Sequence, residues 1–227
     1  EQVVTVDLNK RLDLGILLKS LVWMAENRNE VFGYYDGVVE KAVFNERMNM
    51  IERLKYKPEK LLSEANIVYL APADAANTVL SDASVDYHIS TTVFEHIPGV
   101  DIKRILKEAK RILKKDGIAI HFIDLSDHFQ HQDKSISRIN FLRYSEAEWN
   151  RIAGNQFAYC NRLRASDYVA LFQQLDFAIN RHEIDVDQES MSHVQKKVFS
   201  LHQRFSSYTP EDICSTSLRI LLSKRVD

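Results

Sequence analysis

The sequence predicts an α/β fold, a doubly wound and mostly parallel sheet, on three observations. Short apolar runs are each followed closely by an acidic residue: Val3–Val6 by Asp7, Ile67–Leu70 by Asp74 and Ile118–Ile123 by Asp124. Apolar runs closed by a carboxylate are the pattern of buried parallel strands that reach a ligand-binding edge. An amphipathic helix then lies between two such runs, and strand, helix, strand in that order implies a parallel pair with a right-handed crossover. Two further strands close the chain after a helical excursion, which fits an antiparallel hairpin at a sheet edge.

In chain order, Val3–Val6 reads as the first strand. From Leu12 to about Ala65 the apolar residues recur at helical spacing (Leu14, Leu17, Leu18, Leu21, then Met50, Ile51, Leu54), with an aromatic, glycine-marked break at Phe32–Gly37. The separation from the next strand, residues 66–70, exceeds what one crossover helix needs, so 12–65 is read as a helical insertion. Val85–Ser90 is the third strand. Asp101 to Lys115 is the clearest helix, its stripe made by Ile102, Ile105, Leu106, Ala109, Ile112 and Leu113. Asp101 is its expected N-cap and Gly117 its expected left-handed C-cap. Residues 118–124 form the fourth strand. Helices are expected at 145–153, 166–175 and across 192–206, and strands at 177–185 and 217–222.

The whole chain, 1–227, reads as one domain, with 125–210 as helical elements after the fourth strand. A formal net charge of -2, from 30 Lys+Arg against 32 Asp+Glu, argues against a protein built around nucleic-acid phosphates. The greasiest stretch, Leu14–Ala25, is interrupted by Lys19 and too short to span a bilayer. Cys160 and Cys214 lack metal-ligand spacing and are expected as buried thiols in a cytoplasmic protein. The chain opens on Glu1 and enters a strand almost at once, so a preceding segment in a longer protein is expected.

Asp7, Asp74 and Asp124 stand at the carboxyl ends of three expected parallel strands, where open α/β sheets bind ligands. Carboxylates there can accept hydrogen bonds from ribose hydroxyls and from an adenine amino group. His96, after the third strand, and His128 and His131, after the fourth, are candidate bases for a group that must lose a proton, His96 and His128 foremost. Asp127, His128, His131 and Asp133 have donor types that permit a metal, but no metal site is assigned. Arg143, Arg162 and Arg164 are candidates for pairing with an anionic acceptor.

The run Val85-Asp86-Tyr87-His88-Ile89-Ser90-Thr91-Thr92-Val93-Phe94-Glu95-His96-Ile97, followed by Ile105 through Gly117, resembles the class I S-adenosylmethionine-dependent methyltransferases. In that family an Asp-led strand, a Ser and an aliphatic-Glu-His turn precede a helix ending in Arg-aliphatic-Leu-Lys-Pro-Gly-Gly. Here Lys115-Asp116-Gly117 stands in the last turn. Ala73-Asp74-Ala75 is similar to the family's adenine-contacting segment and Val6-Asp7-Leu8 to its ribose-contacting one. The resemblance implies a Rossmann-like fold, S-adenosylmethionine as cofactor, and cofactor contacts at Asp7, Leu8, Asp74, Ala75, Ser90 and Thr91. It also implies a central strand before Val3 carrying a Gly-x-Gly-x-Gly loop, and the six glycines of this chain never cluster. Glycines let backbone approach the methionine part of such a cofactor. This chain is therefore expected to be a fragment lacking the first strand, impaired in cofactor binding and, through its open ladder edges, a homodimer.

The function expected from the resemblance is methyl transfer to a small-molecule or glycan-type acceptor, with neither nucleic acid nor membrane as partner. Two alternatives are another nucleotide-binding α/β domain, which would also want a glycine-rich first turn, and a non-catalytic interaction module using 12–65 as its surface.

Overall fold

The apolar runs and helical repeats form strands and helices close to where the sequence places them, but the strands join into two sheets. The computed structural model describes residues 1–155, 158–198 and 200–225, and the chain divides into two units, Glu1–Ala75 and Ala76–Asp227.

The first unit contains β1 (Val3–Val6), α1 (Leu14–Glu26), α2 (Arg28–Gly33), α3 (Lys41–Leu54), α4 (Pro58–Glu64) and β2 (Ile67–Leu70). The 12–65 segment is thus helical, as its spacing predicts. Asp13 caps α1 by accepting from the amides of Gly15 and Ile16, and Pro58 opens α4, where its missing N–H costs nothing. Leu21, Leu54 and Leu61 make one apolar cluster, and Val31, Phe44 and Met48 another. β1 and β2 pair in parallel, from Val3 opposite Ile67 to Val6 opposite Leu70. The expectation of a buried first strand is corrected: Val3 is 53% exposed, because β1 has a neighbour on one side only among the described residues.

The second unit contains β3 (Val85–Thr91), α5 (Gly99–Ile112), β4 (Leu113–Asp124), α6 (Glu146–Ala153), α7 (Ala165–Gln174), β5 (Phe177–Val186), α8 (Gln188–Gln195), a short α9 (Pro210–Ile213) and β6 (Ser215–Lys224). Its sheet runs β3-β4-β6-β5. β3 and β4 are parallel, joined by α5, and β6 is antiparallel to both β4 and β5. The α/β class stands, but a mostly parallel single sheet does not form. The closing pair is antiparallel as expected, yet β6 is an inner strand. It has partners on both sides, and Leu218, Ile220 and Leu222 are buried.

The stripe of α5 is core, with Ile102, Leu106 and Ala109 fully buried. Its ends differ from the sequence reading. Pro98 occupies the N-cap position, and Asp101 sits in the first turn, bonded to Arg104 at 3.0 Å. Leu113 leaves the helix directly into extended backbone, so no left-handed cap forms. Gly117 lies inside β4, where a Cβ would stand 3.0 Å from the Lys114 amide nitrogen. The glycine serves close approach, not handedness. Of the helix expected across 192–206, only α8 and a single turn at Gln203–Phe205 form, and Phe199 within it lies outside the described residues. Cys160 and Cys214 are free, buried thiols in a cluster with Phe141, Leu142, Trp149 and Phe205; burial pushes their pKa up to about 12 and about 11. Among the described residues no helix is long and apolar enough to cross a membrane.

Candidate active site

Because β3 and β4 are parallel, their carboxyl ends open on one edge of the second unit. A single 3-10 turn, Phe94–His96, follows β3, and another, His128–His131, follows β4. These two turns bring Glu95, His96 and His128 together, with one donor atom from each within 4.8 Å of the others. Both histidines singled out in the sequence are therefore neighbours, their rings 4.9 Å apart.

Glu95 is 1% exposed, and neither carboxylate oxygen has a hydrogen-bond partner among the described residues. Burial pushes its pKa up to about 7, the Asp124 carboxylate adding to the effect and His128 opposing it. His96 Nδ1 lies 2.9 Å from the Tyr159 carbonyl oxygen. A carbonyl only accepts, so Nδ1 carries the proton and Nε2, 4.0 Å from Glu95 Oε1, faces the carboxylate. His128 Nε2 is 3.5 Å from Asp124 Oδ2, an ion-pair distance without a hydrogen bond. The Asp124 carboxylate raises the His128 pKa against the opposing effect of burial. Burial also resists ionisation of Asp124, but His128 and the amide and hydroxyl of Ser126 outweigh it and hold its pKa at about 2. The result is a paired His128–Asp124 beside a buried Glu95 that, among the described residues, has no hydrogen bond and only His96, at 4.0 Å, as an ion-pair neighbour.

A cavity of about 430 Å3 adjoins this edge, lined in part by Asp124, Ser126, His131, Asp185, Thr216 and Ser217. Asp185 is neutralised there by Arg219 at 2.8 Å and bonded by Ser217 Oγ at 2.6 Å. The cavity thus offers hydroxyl and carboxylate acceptors on β4, β5 and β6.

The other sequence-read residues fall as follows. In the first unit, the Ala73 amide donates to the Asp7 carbonyl at 2.9 Å, so the loop carrying Asp74 and Ala75 folds over the end of β1. Asp7 and Asp74 stand at one edge of the β1–β2 pair. The Asp7 carboxylate accepts from the Tyr69 hydroxyl at 3.1 Å and from the Asn9 amide at 3.3 Å, and Leu8 is 68% exposed. Tyr69 was not singled out in the sequence; it lies on β2 opposite Thr5, two residues before Asp7, which puts its hydroxyl within reach of that carboxylate. In the second unit, Ser90 Oγ is 2.8 Å from His121 Nδ1, which occupies that hydroxyl, and Thr91 is exposed.

Two readings of the sequence are corrected. Arg162 and Arg164 do not face an anionic acceptor: both are buried, and they donate to the carbonyls of Phe141 and Tyr144, and of Leu125, Asp212 and Ser215. Arg143, by contrast, is exposed and donates to Asn140 Oδ1 at 3.4 Å, which does not bear against its reading. Asp127 and Asp133 accept from the amides of Phe129 and Ser135 in their own turns, and neither belongs to the histidine cluster among the described residues. Glu95, read in the sequence as part of a motif, is instead the buried centre of the cluster. The adjacent Glu-His pair was the available signal, but its burial depends on the strand ends.

The family described as methyltransferase domain matches residues 42–121. No match was found among curated protein sequences. Solved structures similar to this chain include an S-adenosylmethionine-dependent methyltransferase from Methanosarcina mazei, 12% identical, with 75% of this chain and 79% of that one covered and a TM-score of 0.47. A protein from Pyrococcus horikoshii is 15% identical over 75% and 66% of the two chains, with a TM-score of 0.43. A geranyl diphosphate methyltransferase in complex with S-adenosylmethionine is 10% identical over 75% and 62%, with a TM-score of 0.46. Residues 42–121 thus match a methyltransferase domain, and this stretch contains most of the run that carries the resemblance in the sequence.

Proposed function

We propose that this chain is the acceptor-side and adenosine-side portion of an S-adenosylmethionine-dependent methyltransferase that methylates a hydroxyl of a small-molecule or glycan-type acceptor. One observation carries the reading: the parallel β3–α5–β4 segment, most of it inside the matched residues, ends in a histidine–carboxylate cluster beside a polar cavity. Methyl transfer from a sulfonium needs alignment of nucleophile and methyl group, and a hydroxyl nucleophile must also lose its proton. His128, oriented and made more basic by Asp124, is the group for that proton, with His96 beside it. The Ser126, Thr216 and Ser217 hydroxyls in the cavity suit a polyhydroxylated acceptor.

For the cofactor, Asp7 and Asp74 are read as the ribose and adenine acceptors of the first unit, with Leu8 and Ala75 flanking them. Ser90 and Thr91 are the contacts read in the second. With no Gly-x-Gly-x-Gly loop in the chain, affinity for S-adenosylhomocysteine by titration calorimetry is expected to be weaker than micromolar. We read the two units as one methyltransferase-like domain of a cytoplasmic protein. Among the described residues β1 and β3 each have a strand neighbour on one side only, and these edges, with Tyr87 and Ile89 exposed on β3, favour a homodimer.

The test is transfer of labelled methyl from millimolar S-adenosylmethionine to a panel of sugars and hydroxylated small molecules. Label in a product, reduced about 100-fold or more in His128→Gln, is the expected result. No incorporation into any acceptor at saturating cofactor would overturn the reading.

A further inference from the structure

We propose that Glu95, His96 and His128 form a binding site for a divalent first-row transition cation such as zinc, cobalt or manganese. The donor set is two imidazole nitrogens and one carboxylate oxygen, all within 4.8 Å of one another, and imidazole with carboxylate suits such ions. Metal–ligand bonds of about 2.0–2.2 Å place donors roughly 3–3.5 Å apart, so the donors need close by at most roughly 1.5–2 Å.

Three features of the surroundings point to a cation, beyond the proximity of the donors. Glu95 is buried to 1% exposure with both oxygens unpartnered among the described residues. A buried carboxylate ordinarily finds a cation or hydrogen-bond donors. His128 Nε2 is likewise buried without a hydrogen bond, 3.5 Å from Asp124 Oδ2, which adds a further oxygen at the rim. His96 turns Nδ1 to the Tyr159 carbonyl, the outer contact that fixes a metal-binding tautomer with Nε2 inward. The three residues leave coordination positions open, unlike a closed structural site. No thiol belongs to the cluster, since Cys160 is buried in the cluster of Trp149 and Phe205.

Binding of the cation stands on this geometry alone. Its catalytic consequence rests on the methyl-transfer reading: an acceptor oxygen taken into an open position would lose its proton more easily, to Asp124 at the rim, with the histidines then acting as ligands and His128 no longer as the base.

The full chain, dialysed against chelator, is titrated with Zn2+ by calorimetry and with Co2+ by visible absorption. One Co2+ per chain with visible ligand-field bands, displaced by Zn2+, is expected. Glu95→Gln should lose the bands and bind Zn2+ at least about 100-fold more weakly, while the control His182→Gln binds as the parent does. Glu95→Gln removes an unpartnered buried acid, so its melting temperature in metal-free buffer should not fall, and a loss of binding is then not a loss of fold. Absence of stoichiometric binding, or binding that survives both Glu95→Gln and His128→Gln, would overturn the site. Methyl transfer that proceeds undiminished in chelator would sink the ion's catalytic role and leave the methyltransferase reading intact. Tight Co2+ binding with no methyl transfer would sink only the latter.

Discussion

At the scale of single residues, buried polar groups decide what the second unit tolerates. Arg164 is fully buried and donates to the carbonyls of Leu125, Asp212 and Ser215, tying β4's exit, α9 and the start of β6 to one side chain. Removing it leaves several buried acceptors unpaired. Arg164→Ala is expected to destabilise by about 3–5 kcal/mol in denaturant unfolding, the range for breaking a buried charged network. His88 and His121 make a second case. They face each other with ring centroids 5.4 Å apart, and His121 stacks on Phe172. Burial lowers their pKa to about 4 and about 3. The unfolded chain takes up these protons first, so their contribution is full above about pH 6.5 and is lost as pH falls toward 4 and then 3. The shifts correspond to roughly 3 kcal/mol for His88 and roughly 5 kcal/mol for His121. His121→Phe should flatten the acid slope of the melting temperature below pH 6.5; an unchanged slope would show that these rings do not govern it.

At the scale of elements, the α5–β4 junction shows how much local sequence conveys. The stripe of α5 was legible because 3.6-residue periodicity is a property of the chain itself. The function of Gly117 was not, because it depends on what its backbone approaches. Gly after a basic helical end suggests a left-handed cap. In the folded chain α5 ends four residues earlier, at Leu113, and Gly117 packs against the Lys114 backbone within β4. Gly117→Ala is therefore expected to cost about 1–2 kcal/mol through crowding against main chain that cannot rotate away. A melting temperature equal to the parent's would show that the strand yields there. By contrast, α6 was placed nearly to the residue, because Ser145 and Glu148 form a capping box that is written in the sequence.

At the scale of the whole molecule, the two units differ in what holds each together. Ala76–Asp227 has a four-stranded sheet with helices and a large aromatic-rich core cluster. Glu1–Ala75 has a two-stranded sheet and two small clusters, and two-stranded sheets are marginal without further support. Expressed alone, residues 76–227 should unfold cooperatively in denaturant, whereas residues 1–75 should show weak or non-cooperative melting by circular dichroism. A fragment 76–227 that is unfolded would mean that the second unit draws its stability from outside itself.

The sequence by itself determined the α/β class, the helical 12–65 segment, the parallel β3–α5–β4 unit and the nearness of His96 to the end of β3, all of which follow from periodicity and local chemistry. Tertiary structure alone decided the inner position of β6, the burial of Arg162 and Arg164, and the convergence of Glu95 with His96 and His128. Burial and pairing depend on which strand ends share an edge, and that is fixed by long-range packing between segments that are far apart in the chain.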